Sequence, residues 1–268
     1  MKLRQATPLA RSLFAAGTVI VVIALASLLL PASGLATNVA ARNALPSLEH
    51  PFGADWLGRD MLTRTMVGLR LSLALGAATA AMSTVIAVIM GALAGMGNKW
   101  LDATVGWFID LFISMPHLVF MVLLAFLAGG GMKGILIAVG LTHWPSLARI
   151  IRAEVLKVRS SDYIAFSRSQ GMSGLQIAWH HLVPIIIPQA LVGMLLMFPH
   201  VILHESALTF LGFGLSPQTP SLGIILSEGL RNISAGQWWL VLLPTICLIM
   251  VVRLVDRVGE NLKGGHHA

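Results

Sequence analysis

Six stretches of this chain, residues 13–30, 71–96, 103–128, 134–147, 182–213 and 238–252, run with no charged side chain or with a single acid. A helix that crosses the hydrocarbon core of a bilayer needs about 20 predominantly apolar residues, so the runs predict an all-α integral membrane protein with about six transmembrane helices. Two of the runs are short and must borrow flanking residues. The run at 182–213 is long and carries Pro184, Pro188 and Pro199, which predicts a kink or a non-spanning start. Charged residues make up 11% of the 268, against about 25% in soluble domains, too few to clothe a water-facing surface. The first run follows Lys2, Arg4 and Arg11 as a signal peptide's would. Its apolar stretch exceeds the ~7–15 residues of a signal-peptide core, so a retained anchor is expected.

Placing the amino terminus in the cytoplasm leaves 12 of the 18 basic residues inside, among them Lys99, Arg149, Arg152, Lys157, Arg159, Arg168, Arg253, Arg257 and Lys263. The remaining six, Arg42, Arg59, Arg64, Arg70, Lys133 and Arg231, fall outside, and the bias follows the positive-inside rule. Both termini are then cytoplasmic. This distribution also accounts for the net charge of +7 without nucleic acid, for which no binding motif is present. The single cysteine, Cys247, excludes an intrachain disulfide. The whole chain, 1–268, reads as one transmembrane domain with two sizeable segments outside the membrane, an outer one at 31–70 and an inner one at 149–183. The outer segment, with Trp56 among Pro and Gly residues, reads as an ordered cap in which a thiol placed at Ala54 would report the outer side.

Within the inner segment, residues 161–171 read as a short helix stopped by Gly171, since glycine tolerates the left-handed conformation at a helix end. A second short helix over 173–182 places Leu175, Trp179 and Leu182 at i, i+4 and i+7, one apolar face on a loop that is otherwise wet. That face must pack against the chain's own membrane domain or against another subunit.

The same segment resembles the cytoplasmic loop of ABC-importer permeases, whose pattern is Glu-Ala-Ala, then glycine, then an aliphatic residue just before proline. Here stand Ala165-Phe166-Ser167, Gly171, Leu182 and Pro184, with Ala165 in place of the usual glutamate. Residues 50–62, from His50-Pro51-Phe52-Gly53 to Gly58-Arg59-Asp60, are similar to the external segment of dipeptide, oligopeptide and nickel permeases. Residues 205–214 and Pro220-Ser221-Leu222-Gly223 are similar to the end of their fifth helix. The chain is thus identified as resembling the second (C-type) permease of that family from residue 50 onward. The resemblance implies a type I importer fold with a coupling helix formed by Ala165, Gly171, Leu175, Trp179, Leu182 and Pro184. It also implies a bacterial inner-membrane location, a second permease subunit as heterodimer partner, two cytoplasmic ATPases that bind ATP and Mg, and a periplasmic or lipid-anchored substrate-binding protein. No cofactor and no catalytic residue is expected on this chain.

Ionisable groups at membrane depth are costly and invite a functional reading. Asp110 and Glu205 are expected to bind across the bundle or line the pathway. His200 and His204, at i and i+4, would share one helical face, as a divalent cation requires. With His143-Trp144 they resemble the nickel-transporting branch, while Glu205 resembles the peptide branch; nickel, free or chelated, is the favoured cargo and a peptide the alternative. A membrane metalloenzyme is a weaker reading, because a zinc-protease helix needs His-Glu-x-x-His and the last position after His204-Glu205 is Leu208. The sequence also lacks the Gly-x-x-x-x-Gly-Lys-Ser/Thr loop an ATPase needs. The terminal pair His266-His267 reads as a solvent-exposed tail, with a metal-binding tail as the alternative.

Overall fold

The computed structural model describes residues 2–216 and 218–266, with side chains from 11 to 216 and 218 to 263; the His266-His267 side chains fall outside this set. Eleven α-helices are described and no strand, beyond one isolated bridge between Ala54 and Asp60. They are α1 (Lys2–Leu29), α2 (Met61–Met96), α3 (Lys99–Ser114), α4 (His117–Leu127), α5 (Gly131–Thr142) and α6 (Trp144–Arg159), then α7 (Asp162–Ser169), α8 (Gly174–Ile177), α9 (Val183–Phe210), α10 (Leu222–Asn232) and α11 (Trp239–His266). Five helical segments are long and apolar enough to cross a membrane, and the bent pair α3–α4 makes a sixth.

The centre of the bundle is α2, and its sequence explains why. Asp60 caps it, accepting from the Thr63 N–H at 2.8 Å. Its buried face is built from small residues, among them Gly68, Gly76, Ala80, Ser83, Ala87, Gly91 and Gly95. Small side chains let membrane helices approach until backbones touch: a Cβ added to Gly91 would sit 2.6 Å from the Ala148 carbonyl oxygen of α6, and one added to Gly76 would sit 2.7 Å from Ile202 of α9. At the far end of α2, the Arg159 guanidinium donates to the carbonyls of Gly95, Met96 and Gly97 at 3.1–3.2 Å, satisfying acceptors that a helix end leaves orphaned.

The structure differs from the sequence reading at three places. The third run breaks at Met115-Pro116, with a bend of 101° between α3 and α4, because proline disfavours the helical conformation of the residue before it; Met115 is extended, at φ −74° and ψ 144°. The fourth run does not end near 147. Helix α6 continues to Arg159, since Arg149 pairs with Asp110 at 2.7 Å and Arg152 forks onto Asp102, both on α3. A connection of residues 160–173 thus lies between the helical spans Gly131–Arg159 and Gly174–Phe210, within the expected inner segment 149–183, and α2 begins at Met61, within the expected outer segment 31–70.

Third, the second short helix is the beginning of a continuous helical span, Gly174–Phe210. Pro184 has no N–H and its ring crowds the carbonyl four residues back; a π turn over Ala178–Leu182 widens the helix there. A π turn advances less per residue than the ~100° of an α-helix, so Leu182 rotates away from Leu175 and Trp179. Leu182 is buried at 4% exposure among Ile164, Ile177 and Ile186, whereas Leu175 and Trp179 stand 79% and 70% exposed. The expected single face is divided. Helix α7 ends as expected, with Gly171 at φ +81° and the Met172 N–H reaching back to the Ser167 carbonyl, and it rests on the π turn through a Ser167–His181 contact of 3.2 Å.

Candidate functional site

Two helix junctions and the middle of α9 converge on one cavity of about 510 Å³, walled by α3, the start of α4, the α5–α6 junction and α9. The break at Pro116 puts His117 in the first turn of α4. His143 is the junction residue between α5 and α6, and His204 projects from α9. Their rings meet edge to face, with centroids 4.8, 5.0 and 5.1 Å apart, and one nitrogen of each lies within 4.8 Å of the others. All three are half-buried.

The tautomer of His143 follows from its partners. Its Nδ1 lies 2.9 Å from the Val139 carbonyl oxygen, which can only accept, so Nδ1 carries the hydrogen. Nε2 then holds a lone pair, and it is buried without a hydrogen-bond partner. His200 lines the same cavity, one helical turn before His204, but is exposed and stands apart from the cluster, its Nδ1 3.3 Å from the Leu196 carbonyl. Thus the cavity does contain His200 and His204, while the tight group is His117, His143 and His204. His117 escaped the sequence reading because it shares no helix with the other two; the signal was its place directly after Pro116, where a broken helix exposes a first-turn side chain.

Glu205 points elsewhere. Adjacent to His204 on the helix, it is turned about 100° around the axis and is 1% exposed, accepting from Thr209 at 3.2 Å and Ser206 at 3.4 Å. Asp110 pairs with Arg149, both side chains more than half exposed on this chain.

At the end of the bundle that holds residues 31–60, a second polar group was missed in sequence. Asp55, 1% exposed, accepts from the Leu57 and Arg59 N–H groups at 2.8 and 2.9 Å, from Arg59 Nε at 2.7 Å and from Arg64 Nη1 at 2.6 Å. Glu228 of α10 completes it, 2.8 Å from Arg64 and 3.1 Å from Arg59. Arg59 of Gly58-Arg59-Asp60 is therefore part of a largely buried charge network, while Asp60 pairs with His50. The glycines fit it: a Cβ on Gly58, at φ +75°, would fall 1.7 Å from the Asn38 carbonyl oxygen.

The family described as binding-protein-dependent transport system inner membrane component matches residues 87–263. A dipeptide transport system permease protein of Bacillus subtilis (strain 168) is 33% identical over 233 residues, spanning 87% of this chain and 73% of that protein. Two solved structures share the fold, both titled inward facing conformations of the MetNI methionine ABC transporter. Their TM-scores are 0.61 and 0.58 at 18% and 19% identity, covering 76% and 74% of this chain and 96% and 94% of those chains. The match runs from the middle of α2 into α11 and so takes in the cavity and the connection between α6 and α9. This multi-pass membrane protein belongs to the binding-protein-dependent transport system inner membrane component family, the permease subunits of ABC importers.

Proposed function

We propose that this chain forms half of the translocation pore of an ATP-driven importer in a bacterial inner (cytoplasmic) membrane. A second permease, two cytoplasmic ATPases that bind ATP and Mg, and a periplasmic or lipid-anchored binding protein complete the assembly. Both termini and α7 lie on the cytoplasmic side, and residues 31–60 on the periplasmic side. The chain itself carries out no covalent chemistry.

One observation supports the ATPase contact above the rest. Tyr163, Phe166, Leu175 and Trp179 are 46%, 65%, 79% and 70% exposed in and beside the 160–173 connection, which the proposed orientation puts at the cytoplasmic end of the bundle. Large exposed apolar side chains at such a place mark an interaction surface. Because Gly174–Phe210 is one helical span, Trp179 and His204 stand on the same rod, about 37 Å apart at ~1.5 Å per residue. A tilt imposed on the Trp179 end by the ATPases is carried to the cavity wall. ATP and cargo must favour different arrangements of that rod by unequal binding.

The test is Trp179→Asp in the assembled importer. Loss of ATPase co-purification and of ATP-driven uptake, with insertion of the chain unchanged, is expected; retention of both would remove the docking role. For cargo, the dipeptide permease relative supports a peptide. The cavity histidines support a second reading, nickel, free or chelated, since imidazole suits Ni²⁺. Uptake of labelled dipeptide and of nickel by the reconstituted importer decides between them.

A further inference from the structure

We propose that His117, His143 and His204 form a binding site for a divalent transition-metal ion, open on one side to the cavity. The proposal rests on the import reading only for its use; the binding itself is a property of this chain.

Three observations carry it. First, three different structural elements deliver one imidazole nitrogen each to a space no wider than 4.8 Å, although nothing in chain spacing requires them to meet. Second, the His143 ring is held by its Nδ1–H to Val139, leaving Nε2 buried and unpartnered. A buried lone pair without a donor is costly, and a metal ion satisfies it. The donor bond to a backbone carbonyl is also the outer-shell arrangement that orients a metal-bound histidine. Third, His117 and His204 make ring contacts but no side-chain hydrogen bond among the described residues, so both rings are free to turn toward an ion.

Metal–nitrogen bonds of ~2.0–2.1 Å place tetrahedral ligands about 3.3 Å apart. Nitrogens up to 4.8 Å apart must draw in by about 1.5 Å at most, within reach of side-chain rotation. Three neutral imidazoles select borderline ions such as Ni²⁺, Co²⁺, Cu²⁺ and Zn²⁺ over Mg²⁺ and Ca²⁺, which prefer oxygen. No carboxylate belongs to the cluster, since Glu205 is turned into the bundle. The site therefore lacks the charge and the fourth ligand of a closed structural cage, and water or a donor atom of a chelating cargo completes the shell from the cavity. Such an incomplete site is suited to holding an ion and releasing it.

The experiment uses the purified full chain in lipid nanodiscs, in a His266→Ala/His267→Ala background so that the tail does not bind. Titration with Co²⁺ is followed by its visible ligand-field bands, and titration with Ni²⁺ by calorimetry. One ion per chain is expected, displaced by Zn²⁺ and untouched by excess Mg²⁺. His117→Gln, His143→Gln and His204→Gln should each weaken it at least ~10-fold, the range already seen when outer-shell partners are lost, while His200→Ala changes it less than about 3-fold. Melting curves of each variant separate ligand loss from misfolding. A second arm offers Ni²⁺ already complexed by diglycine: a ternary complex identifies a chelate as the natural occupant, binding of the free ion alone identifies the ion. No stoichiometric Co²⁺ or Ni²⁺ binding by the folded chain, or binding indifferent to His117→Gln and His143→Gln, overturns the proposal. Because neither ATP nor uptake is measured, that failure would leave the permease reading intact, and loss of ATPase docking in Trp179→Asp would leave the metal site intact.

Discussion

Replacing Asp55 by alanine should release residues 31–60 from the bundle. The carboxylate accepts four hydrogen bonds, two from backbone N–H groups and two from guanidinium groups, and it is 1% exposed. Removing one partner of a buried ion pair costs about 3–5 kcal/mol, because the other charge stays buried. Glu228 still faces both Arg59 and Arg64, so part of the charge remains compensated, and the lower figure of about 3 kcal/mol applies. At 1.4 kcal/mol per factor of ten, the open form of the segment becomes about 100-fold more populated. Arg42 provides the readout: in the closed form its Nε donates to the Trp56 carbonyl at 2.8 Å and the Asn43 N–H donates to the Asp55 carbonyl at 2.9 Å. Cleavage by trypsin after Arg42, with reclosing faster than cleavage, tracks the open population and should accelerate by about the same factor. Glu228→Gln keeps an acceptor at a 22% exposed side chain and should change the rate less than ~10-fold. Equal cleavage rates for wild type and Asp55→Ala would refute the view that this network holds the segment down.

Gly91→Ala should destabilise the purified chain by about 1–3 kcal/mol, because the new methyl meets a backbone carbonyl at 2.6 Å that only a shift of α6 can relieve; Gly17→Ala, with nothing within 4 Å, is the control, and thermal melting in detergent compares them. For sidedness, Ala54 is fully buried and a cysteine there would be silent, whereas Leu48 is 103% exposed; Leu48→Cys in a Cys247→Ala background should react with a membrane-impermeant maleimide on intact spheroplasts, and reaction only after lysis would invert the orientation. Leu182→Ala should lower the melting temperature, since burial at 4% makes a leucine truncation cost about 2–5 kcal/mol, while Leu175→Ala should leave melting unchanged and weaken ATPase capture; the reverse pattern would restore the single apolar face.

The spans were legible because lipid demands long apolar runs and nothing else in sequence imitates them. The extent of the helices was less legible. Arg149 and Arg152 read as the start of a loop, whereas both lie within α6, paired with Asp110 and Asp102 of α3. The period of 3.6 residues misled at Leu182 because it assumes an unbroken α-helix, and Pro184 forces a π turn. In the cavity, one helix was readable and three were not. His200 and His204 share α9 and announce themselves by spacing, whereas the contacts of His117 and His143 depend on how α4 and the α5–α6 junction fold back, a long-range outcome that no local pattern encodes.

Both of the histidines that spacing could not place lie where a helix is interrupted. A bilayer leaves no water for an unpaired backbone group, so irregular backbone at that depth persists only where protein or a polar cavity covers it. The breaks at Met115-Pro116 and at His143 border the same cavity, which relieves that demand. They also turn side chains inward that a straight helix would distribute around its circumference. Pro116→Ala, which restores regular helix at that position, would on this reasoning move His117 off the cavity wall, whereas Pro199→Ala, which straightens α9, would leave His117 and His143 in place. The histidine cluster at the cavity and the broken course of the helices around it are therefore one structural feature, set by where this chain allows its helices to stop.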